Sequence, residues 1–258
     1  MQRARVKLAN VHHDDCGDDE ARHLLETLSM PSEPYRDAIG DRLDHPERVP
    51  AEYQHLIVDD RQRVTRLLEI PVSGRVLDVG CSDGAITRRL AERWPTAVFT
   101  GCDLVPAYRW REPVPTPASG FAYAYWDVRR AAVAWDRPAR MHDPQQGDFD
   151  AVFCCEVLEH LTRAESAVAL ANIAAVLAPG GTLVVTVPNW TPHEDYVAGC
   201  RDRGRWVDHR RTWTAWDLVL ALHTVGITVP DDSHHRVPLY DGEDWLHSIW
   251  LMVAGIKR

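Results

Sequence analysis

The sequence predicts a doubly wound α/β protein, in which helices cover both faces of a mostly parallel sheet. Short apolar runs that are typical of buried strands alternate with longer helical patterns along most of the chain. The first run, Val76, Leu77 and Val79, stops at Gly80 in a turn that opens a helix. With 258 residues, 45% of them hydrophobic, the chain can bury a full core. We therefore expect one such domain with an added N-terminal segment.

The chain before the first strand is predicted to be helical in its second half. A His- and Asp-rich cluster at residues 12–20 has a composition that suits a metal, but its spacing places no ligand set on one face, and a solvated acidic turn is the simpler interpretation. Residues 51–69 carry apolar side chains at helical spacing. We predict an N-terminal helical segment, residues 1–70, that covers the site, and a main domain, residues 71–258.

The main domain is predicted to contain seven strands, which in chain order cover residues 76–79, 97–103, 121–127, 147–155, 182–187, 227–229 and 245–256. The last two are expected to close the sheet as an antiparallel edge hairpin. A polar, Trp-rich stretch, residues 189–213, follows the fifth strand and is expected to be an insertion beside the site.

The helices of the main domain have clear end signals. The first, residues 85–94, stops before Pro95. The next two begin at capping boxes, in which a threonine side chain and an acidic side chain three residues later satisfy each other's backbone N–H groups. These boxes pair Thr162 with Glu165 and Thr214 with Asp217, and the two helices are stopped by Ala178-Pro179-Gly180-Gly181 and by Gly226.

Composition disfavours several classes of partner and location. A formal net charge of −9 disfavours nucleic acid as a partner, because phosphate binding is built from Lys and Arg. The six cysteines form no C-x-x-C pair and are interpreted as small buried hydrophobes in a reducing compartment. No stretch has the pattern of a signal peptide or the length of a membrane span, so we expect no membrane partner and a cytoplasmic protein.

The turn after the first strand indicates a nucleotide site. Glycine at 80 allows a sharp turn and close backbone approach to a ligand, and the helix that starts near Asp83 aims free N–H groups at the same space. A dinucleotide fingerprint, G-x-G-x-x-G, fails at Ser82 and Ala85. Asp103, at the end of the second strand, is where a ribose diol is held in such sheets, although a turn-capping aspartate is an open alternative.

The turn resembles motif I of the class I S-adenosylmethionine (SAM)-dependent methyltransferases, whose acidic-x-G-x-G-x-G pattern is met by Asp78, Gly80 and Gly84. Ser82 stands where that family usually has glycine, and we expect serine to fit if its φ is negative. The runs E-V-L-E-H-L, from Glu156, and L-x-P-G-G-x-L, from Leu177, resemble the same family.

The resemblance implies a Rossmann-like, seven-stranded, mostly parallel sheet with an antiparallel last strand, and SAM as cofactor. It also implies that an aspartate after the third strand, here Asp127, accepts the adenine amino group. The residues expected to contact the cofactor are Asp78, Gly80, Ser82, Gly84, Asp103, Leu104, Asp127, Val128 and Cys155.

Methyl transfer depends mainly on positioning, since the cofactor already carries an activated methyl group. An alcohol or ammonium acceptor must also lose a proton, so a His or carboxylate at the ends of strands four and five is expected to act as base. The candidates are His160 and Glu156, with His209 from the insertion over the acceptor side. We expect methyl transfer to an O or N atom of a small molecule or sugar.

Two alternatives stay open. The E-x-x-E-H run and the later Asp208-His209-Arg210 resemble the metal-dependent small-RNA 2′-O-methyltransferases, which implies a divalent ion bound by Glu156, Glu159, His160 and His209. Many metal-free methyltransferases of quinone, glycan and natural-product pathways show the same pattern, and the acidic charge balance favours them. The other alternative is a non-catalytic binding subunit with the methyltransferase fold, which is motivated by Ser82.

Overall fold

The computed structural model describes residues 43–48, 54–103, 121–130, 147–188, 210–230 and 250–258. They all lie in one compact unit, residues 37–258. Within these residues one seven-stranded sheet has the order β3-β2-β1-β4-β5-β7-β6. The strands are β1 (Arg75–Val79), β2 (Val98–Asp103), β3 (Phe121–Tyr125), β4 (Phe149–Cys155), β5 (Leu177–Pro188), β6 (Ile227–Thr228) and β7 (Trp250–Lys257).

The first five strands pair in parallel, and β7 runs antiparallel to both β5 and β6. The predicted mostly parallel sheet with an antiparallel end is therefore confirmed. Strand order reverses between β1 and β4, because the chain goes outward from β1 to β3 and then returns to the other side of β1. In open α/β sheets the crevice at such a switch point, beyond the carboxyl ends of the strands, is where ligands bind.

Four helices and two 3-10 turns accompany the described strands. The helices are α1 (Gln54–Glu69), α2 (Ala85–Arg93), α3 (Arg163–Val176) and α4 (Ala215–Thr224), and the turns are Pro46–Arg48 and Leu158–His160. Both predicted capping boxes are present, at Thr162 and at Thr214. Gly226 has the left-handed φ of 79° that a glycine after a helix end requires.

One boundary differs from the prediction. The chain passes directly from α3 into β5 at Leu177, so the residues expected to lie between helix and strand belong to the strand. The register between β4 and β5 is irregular between Phe149 and Ala151, and Gly180 has a φ of 77°. A bulge of this kind accommodates the Pro-Gly-Gly run inside a paired strand, so no separate loop is needed.

The core consists of two apolar clusters on opposite faces of the sheet. One contains Leu170 and Ile173 of α3 and Leu218 of α4, and the other contains Leu67 of α1 and Leu90 of α2. Successive strand residues alternate between the clusters: Leu77 and Val79 belong to the first, and Val76 to the second. This alternation is the signature of the doubly wound arrangement that the sequence predicts.

The described cysteines, Cys81, Cys102, Cys154 and Cys155, are free and buried, as the sequence analysis expects. Among the helices in the described ranges, none has the length and apolar character to cross a membrane. The His- and Asp-rich cluster at residues 12–20 lies outside the described residues. The predicted division at residue 70, the covering role of residues 1–70 and the acceptor-side insertion stay predictions.

Candidate active site

The turn after β1 has the predicted strand-turn-helix form. Gly80 and Gly84 have left-handed φ values of 72° and 76°. The N–H groups of Gly80 and Cys81 both donate to the carbonyl oxygen of Cys102, at 2.7 and 3.0 Å, and so bind the turn to β2. A Cβ at Gly80 would lie 2.3 Å from Cγ2 of Val157. The turn therefore needs glycine at 80 for both its conformation and its space.

The expectation that Ser82 has a negative φ is wrong. Its φ is 53°, in the left-handed region that favours glycine. The Ser82 N–H donates a 2.8 Å hydrogen bond to Oδ2 of Asp103, and a charge-assisted bond of this kind offsets the strain. Serine thus takes the glycine-type backbone of the motif, supported by a carboxylate from β2.

Asp103 lies at the carboxyl end of β2, one residue beyond the pairing of Val79 with Cys102. It is partly exposed and stands directly beside the glycine turn, because its carboxylate accepts the Ser82 N–H. This position suits the predicted grip on a ribose diol. Leu104, the next predicted contact, lies outside the described residues.

Asp78 is buried beneath the turn rather than open to it. Its Oδ2 accepts a short hydrogen bond from Oγ1 of Thr87, which joins β1 to α2. Burial raises the pKa of Asp78 to about 7. The hydrogen bond from Thr87 spans the turn between β1 and α2, and the contact of Asp78 with the cofactor stays a prediction.

Asp127 and Val128 follow β3 and are both buried. Oδ1 of Asp127 accepts from the backbone N–H of Arg129 at 3.0 Å and from its Nε at 2.8 Å, and Oδ2 accepts from its Nη2 at 2.8 Å. The Val128 carbonyl accepts from Nδ2 of Asn172 on α3, at 2.9 Å. The sequence analysis did not identify Arg129, although an arginine two residues after the aspartate was a usable signal.

Cys155 and Glu156 stand at the carboxyl end of β4. Burial raises the pKa of the Cys155 thiol. Glu156 has a left-handed φ of 58°, and its Oε1 accepts from Oγ1 of Thr186 at 2.8 Å. Burial, together with the nearby Glu159 carboxyl, raises the Glu156 pKa well above its usual value. The unusual backbone at Glu156 places a buried carboxyl group at the strand end.

Arg63 of α1 reaches the same carboxylate, with Nη1 3.4 Å from Oε1 of Glu156. The Arg63 side chain is buried, donates to Asp60 at 2.8 Å and lies over the Trp250 ring at 4.8 Å. Sequence analysis missed this group, although Asp60 and Arg63 interrupt the apolar spacing of α1 one helical turn apart. Their pairing links α1 to the end of β4.

Glu156, Glu159 and His160 do not share a helical face, because α3 begins only at Arg163 and the intervening Leu158–His160 is a 3-10 turn. Burial raises the pKa of Glu159 to about 7. Among the described residues, neither Glu159 carboxylate oxygen has a partner within ordinary hydrogen-bond geometry. His160 is 40% exposed, with Nε2 3.9 Å from Oε1 of Glu159.

The last candidate, His209, lies outside the described residues. The residues after it return to the site, since the N–H groups of Arg210 and Arg211 donate to the Glu159 carbonyl at 2.7 and 3.2 Å. In the part of the chain that the structure describes, no group of three or more His, Cys, Asp or Glu side chains is arranged to hold a metal ion.

Comparison with known proteins identifies the class. Residues 51–232 match a family model described as a methyltransferase domain. The fold is similar to that of magnesium protoporphyrin IX methyltransferase from Synechocystis PCC 6803, solved with bound S-adenosylhomocysteine (SAH). That likeness has a TM-score of 0.57 at 14% identity and covers 81% of this chain and 89% of the other. The chain belongs to the methyltransferase-domain family and has the class I SAM-dependent methyltransferase fold.

Two curated relatives show the range of similarity. The chain is 34% identical over 122 residues to ubiquinone biosynthesis O-methyltransferase of Xanthomonas axonopodis pv. citri, covering 47% of this chain and 46% of the relative. It is 29% identical over 159 residues to trans-aconitate 2-methyltransferase of Pseudomonas aeruginosa, covering 60% and 52%. The chain therefore spans about half the length of the curated relatives it matches.

Proposed function

We propose that this protein transfers the methyl group of SAM to an O or N atom of a small molecule or sugar. The observation that carries the proposal is the glycine turn at residues 80–84, which the hydrogen bond from Ser82 to Asp103 holds against the end of β2. Family membership supports the reaction class, and the names of the relatives, which refer to ubiquinone biosynthesis and trans-aconitate, support a small acceptor.

The described residues fit the cofactor. The turn needs glycine at 80, because its φ is left-handed and a Cβ there would collide with Val157, and we assign the backbone of this turn as the cofactor cradle. We assign Asp103 to the ribose hydroxyls and Asp127 and Val128 to the adenine, and their positions at the ends of β2 and β3 support these roles. SAM, when bound, supplies the activated methyl group.

On the acceptor side the protein is proposed to orient the acceptor atom and to accept the proton that this atom loses. Glu156 is fixed by Thr186 and Arg63, so its carboxylate can orient an acceptor hydroxyl or ammonium group. We assign proton removal to His160, whose imidazole is accessible and lies beside the Glu159 carboxylate. His209 is proposed to act with them from the insertion.

The experiment is transfer of labelled methyl from SAM to fractionated host extract. We expect a small-molecule fraction to be labelled, and we expect chelators to leave this labelling unchanged. His160→Ala should lower the rate by roughly 10²–10⁴-fold, because a general base contributes that much. His223→Ala is the matched control, since His223 is an exposed histidine in the last turn of α4, and this variant should keep wild-type activity.

Other outcomes would identify the alternatives. Chelator-sensitive labelling of RNA that a divalent ion restores would replace the proposal with the metal-dependent RNA methyltransferase. SAM binding without transfer to any fraction would favour the non-catalytic binding subunit.

A further inference from the structure

Arg129, which follows β3, contacts two carboxylates, those of Asp127 and Glu165. Its Nε and Nη2 donate side by side to the two carboxylate oxygens of Asp127, each at 2.8 Å. Its Nη1 lies 3.4 Å from Oε1 of Glu165, the capping-box residue of α3. One guanidinium thus bridges two carboxylates on different parts of the fold, and its side chain is only 18% exposed.

The loop that carries this arginine is itself fixed. Nε1 of Trp126 donates to the Arg130 carbonyl at 3.1 Å, and the Arg130 N–H donates to the Asp127 carbonyl at 2.9 Å. The Val128 carbonyl is bound to Asn172 of α3. The hydrogen bonds that Arg129 donates to Asp127, above all, raise the pKa of Arg129, so the guanidinium keeps its charge. The loop is therefore held in a conformation that keeps Arg129 against Asp127.

We infer that Arg129 is a positioning residue for the adenine part of the cofactor, which it serves by fixing the Asp127 carboxylate; this rests on the proposed function. An ionised carboxylate has about four acceptor sites. The backbone N–H, Nε and Nη2 of Arg129 occupy three of them, which leaves one acceptor position on Oδ2. A carboxylate held in this way presents one defined lone pair to an amino group.

A lysine could not replace this arginine. The planar guanidinium offers a fork that matches both carboxylate oxygens and keeps a further N–H for Glu165, whereas an ammonium is a compact point charge. Without the fork the buried Asp127 carboxylate would lose its two side-chain donors, keep only the backbone N–H of residue 129, and no longer be fixed in one orientation. Its preference for a donor at the adenine position would then fall.

The test compares two ligands that differ at one group: SAH, and the purine analogue of SAH in which hydrogen replaces the adenine amino group. We expect wild type to prefer SAH by about tenfold or more, because the analogue leaves a buried charged acceptor unpaired. Arg129→Met should reduce that preference to about threefold or less, mainly by weakening SAH binding. The preference of Arg129→Lys for SAH should lie between those of wild type and Arg129→Met.

Arg130→Met is the matched control. Arg130 is half exposed, and its Nε is 3.9 Å from Oδ2 of Asp127, so its loss should change the preference by about twofold at most. Circular dichroism and urea unfolding establish that each variant is folded. If Arg129→Met fails to fold, the same comparison with Arg129→Lys decides.

Each remaining outcome separates the inference from the proposed function. Wild type that does not bind SAH would overturn the proposed function and the inference together. Wild type that binds SAH and its analogue equally would overturn only the inference. So would an Arg129 variant that weakens both ligands equally, because that result describes a merely structural arginine.

Discussion

Gly80 combines two constraints, of which Gly180 has only one. It has a left-handed φ of 72°, and a Cβ there would lie 2.3 Å from Val157. Gly180 has a similar φ of 77°, but nothing lies within 4 Å of its Cβ position. Substitutions at Gly80 and Gly180 can therefore separate the effect of backbone strain from the effect of a steric clash.

Gly80→Ala should destabilise the fold and abolish measurable SAH binding, because Val157 must move and the cradle narrows. Gly180→Ala should cost only the strain of a left-handed residue, about 1–2 kcal/mol, with SAH affinity unchanged. Urea unfolding and SAH titration of both variants measure the two effects. Unchanged SAH affinity in Gly80→Ala would mean that the turn is not the cofactor cradle.

Sequence alone locates Gly80, Asp103 and Asp127 because each follows directly from a strand end and a turn. It does not predict the left-handed Ser82, whose conformation depends on a carboxylate of the next strand. Nor does it predict that Arg63 reaches Glu156, since that contact joins segments far apart in the chain. Such features arise from tertiary packing, which local patterns do not contain.

The buried carboxyl group of Asp78 gives a pH-dependent contribution to stability. Asp78 has a pKa of about 7 in the folded state because it is buried, against about 3.9 when unfolded. Between these values the folded state holds a proton that the unfolded state has released. The contribution is therefore fully present below about pH 4 and is lost as the pH rises towards 7.

Asp78→Asn removes this titration while keeping an oxygen that can accept from Thr87. The variant should gain stability relative to wild type as the pH rises from about 4 to 8, by on the order of 1–4 kcal/mol. The unfolding free energy in urea across this range is the measurement. A constant difference between wild type and Asp78→Asn would contradict the assignment.

Helix ends were the most predictable boundaries, because the capping boxes at Thr162 and Thr214 and the glycine at 226 act within a few residues. The start of β5 was not predictable in the same way. Leu177 joins the strand because it pairs with Phe149 across a register irregularity. A pairing of that kind depends on the partner strand, which the helix-stop signal of the Pro-Gly-Gly run does not include.

In the assembled sheet the described site residues gather at one edge. Gly80, Asp103, Asp127 and Glu156 stand at or just after the carboxyl ends of β1 to β4. These four strands are neighbours in the order β3-β2-β1-β4, so a single ligand can lie across them. The alternation of strands and helices predicts these elements, while the register of the sheet brings their ends together.

Calorimetric titration of SAH into wild type and Asp103→Ala tests whether this edge binds the cofactor. Wild type should bind SAH, and Asp103→Ala should bind it about tenfold or more weakly with the fold intact, because two ribose hydroxyls lose their acceptor. Asp148→Ala is the control, since Asp148 precedes β4 at the opposite edge of the sheet, and its affinity should match wild type. No SAH binding by wild type, or equal affinity in Asp103→Ala, would contradict the proposed site.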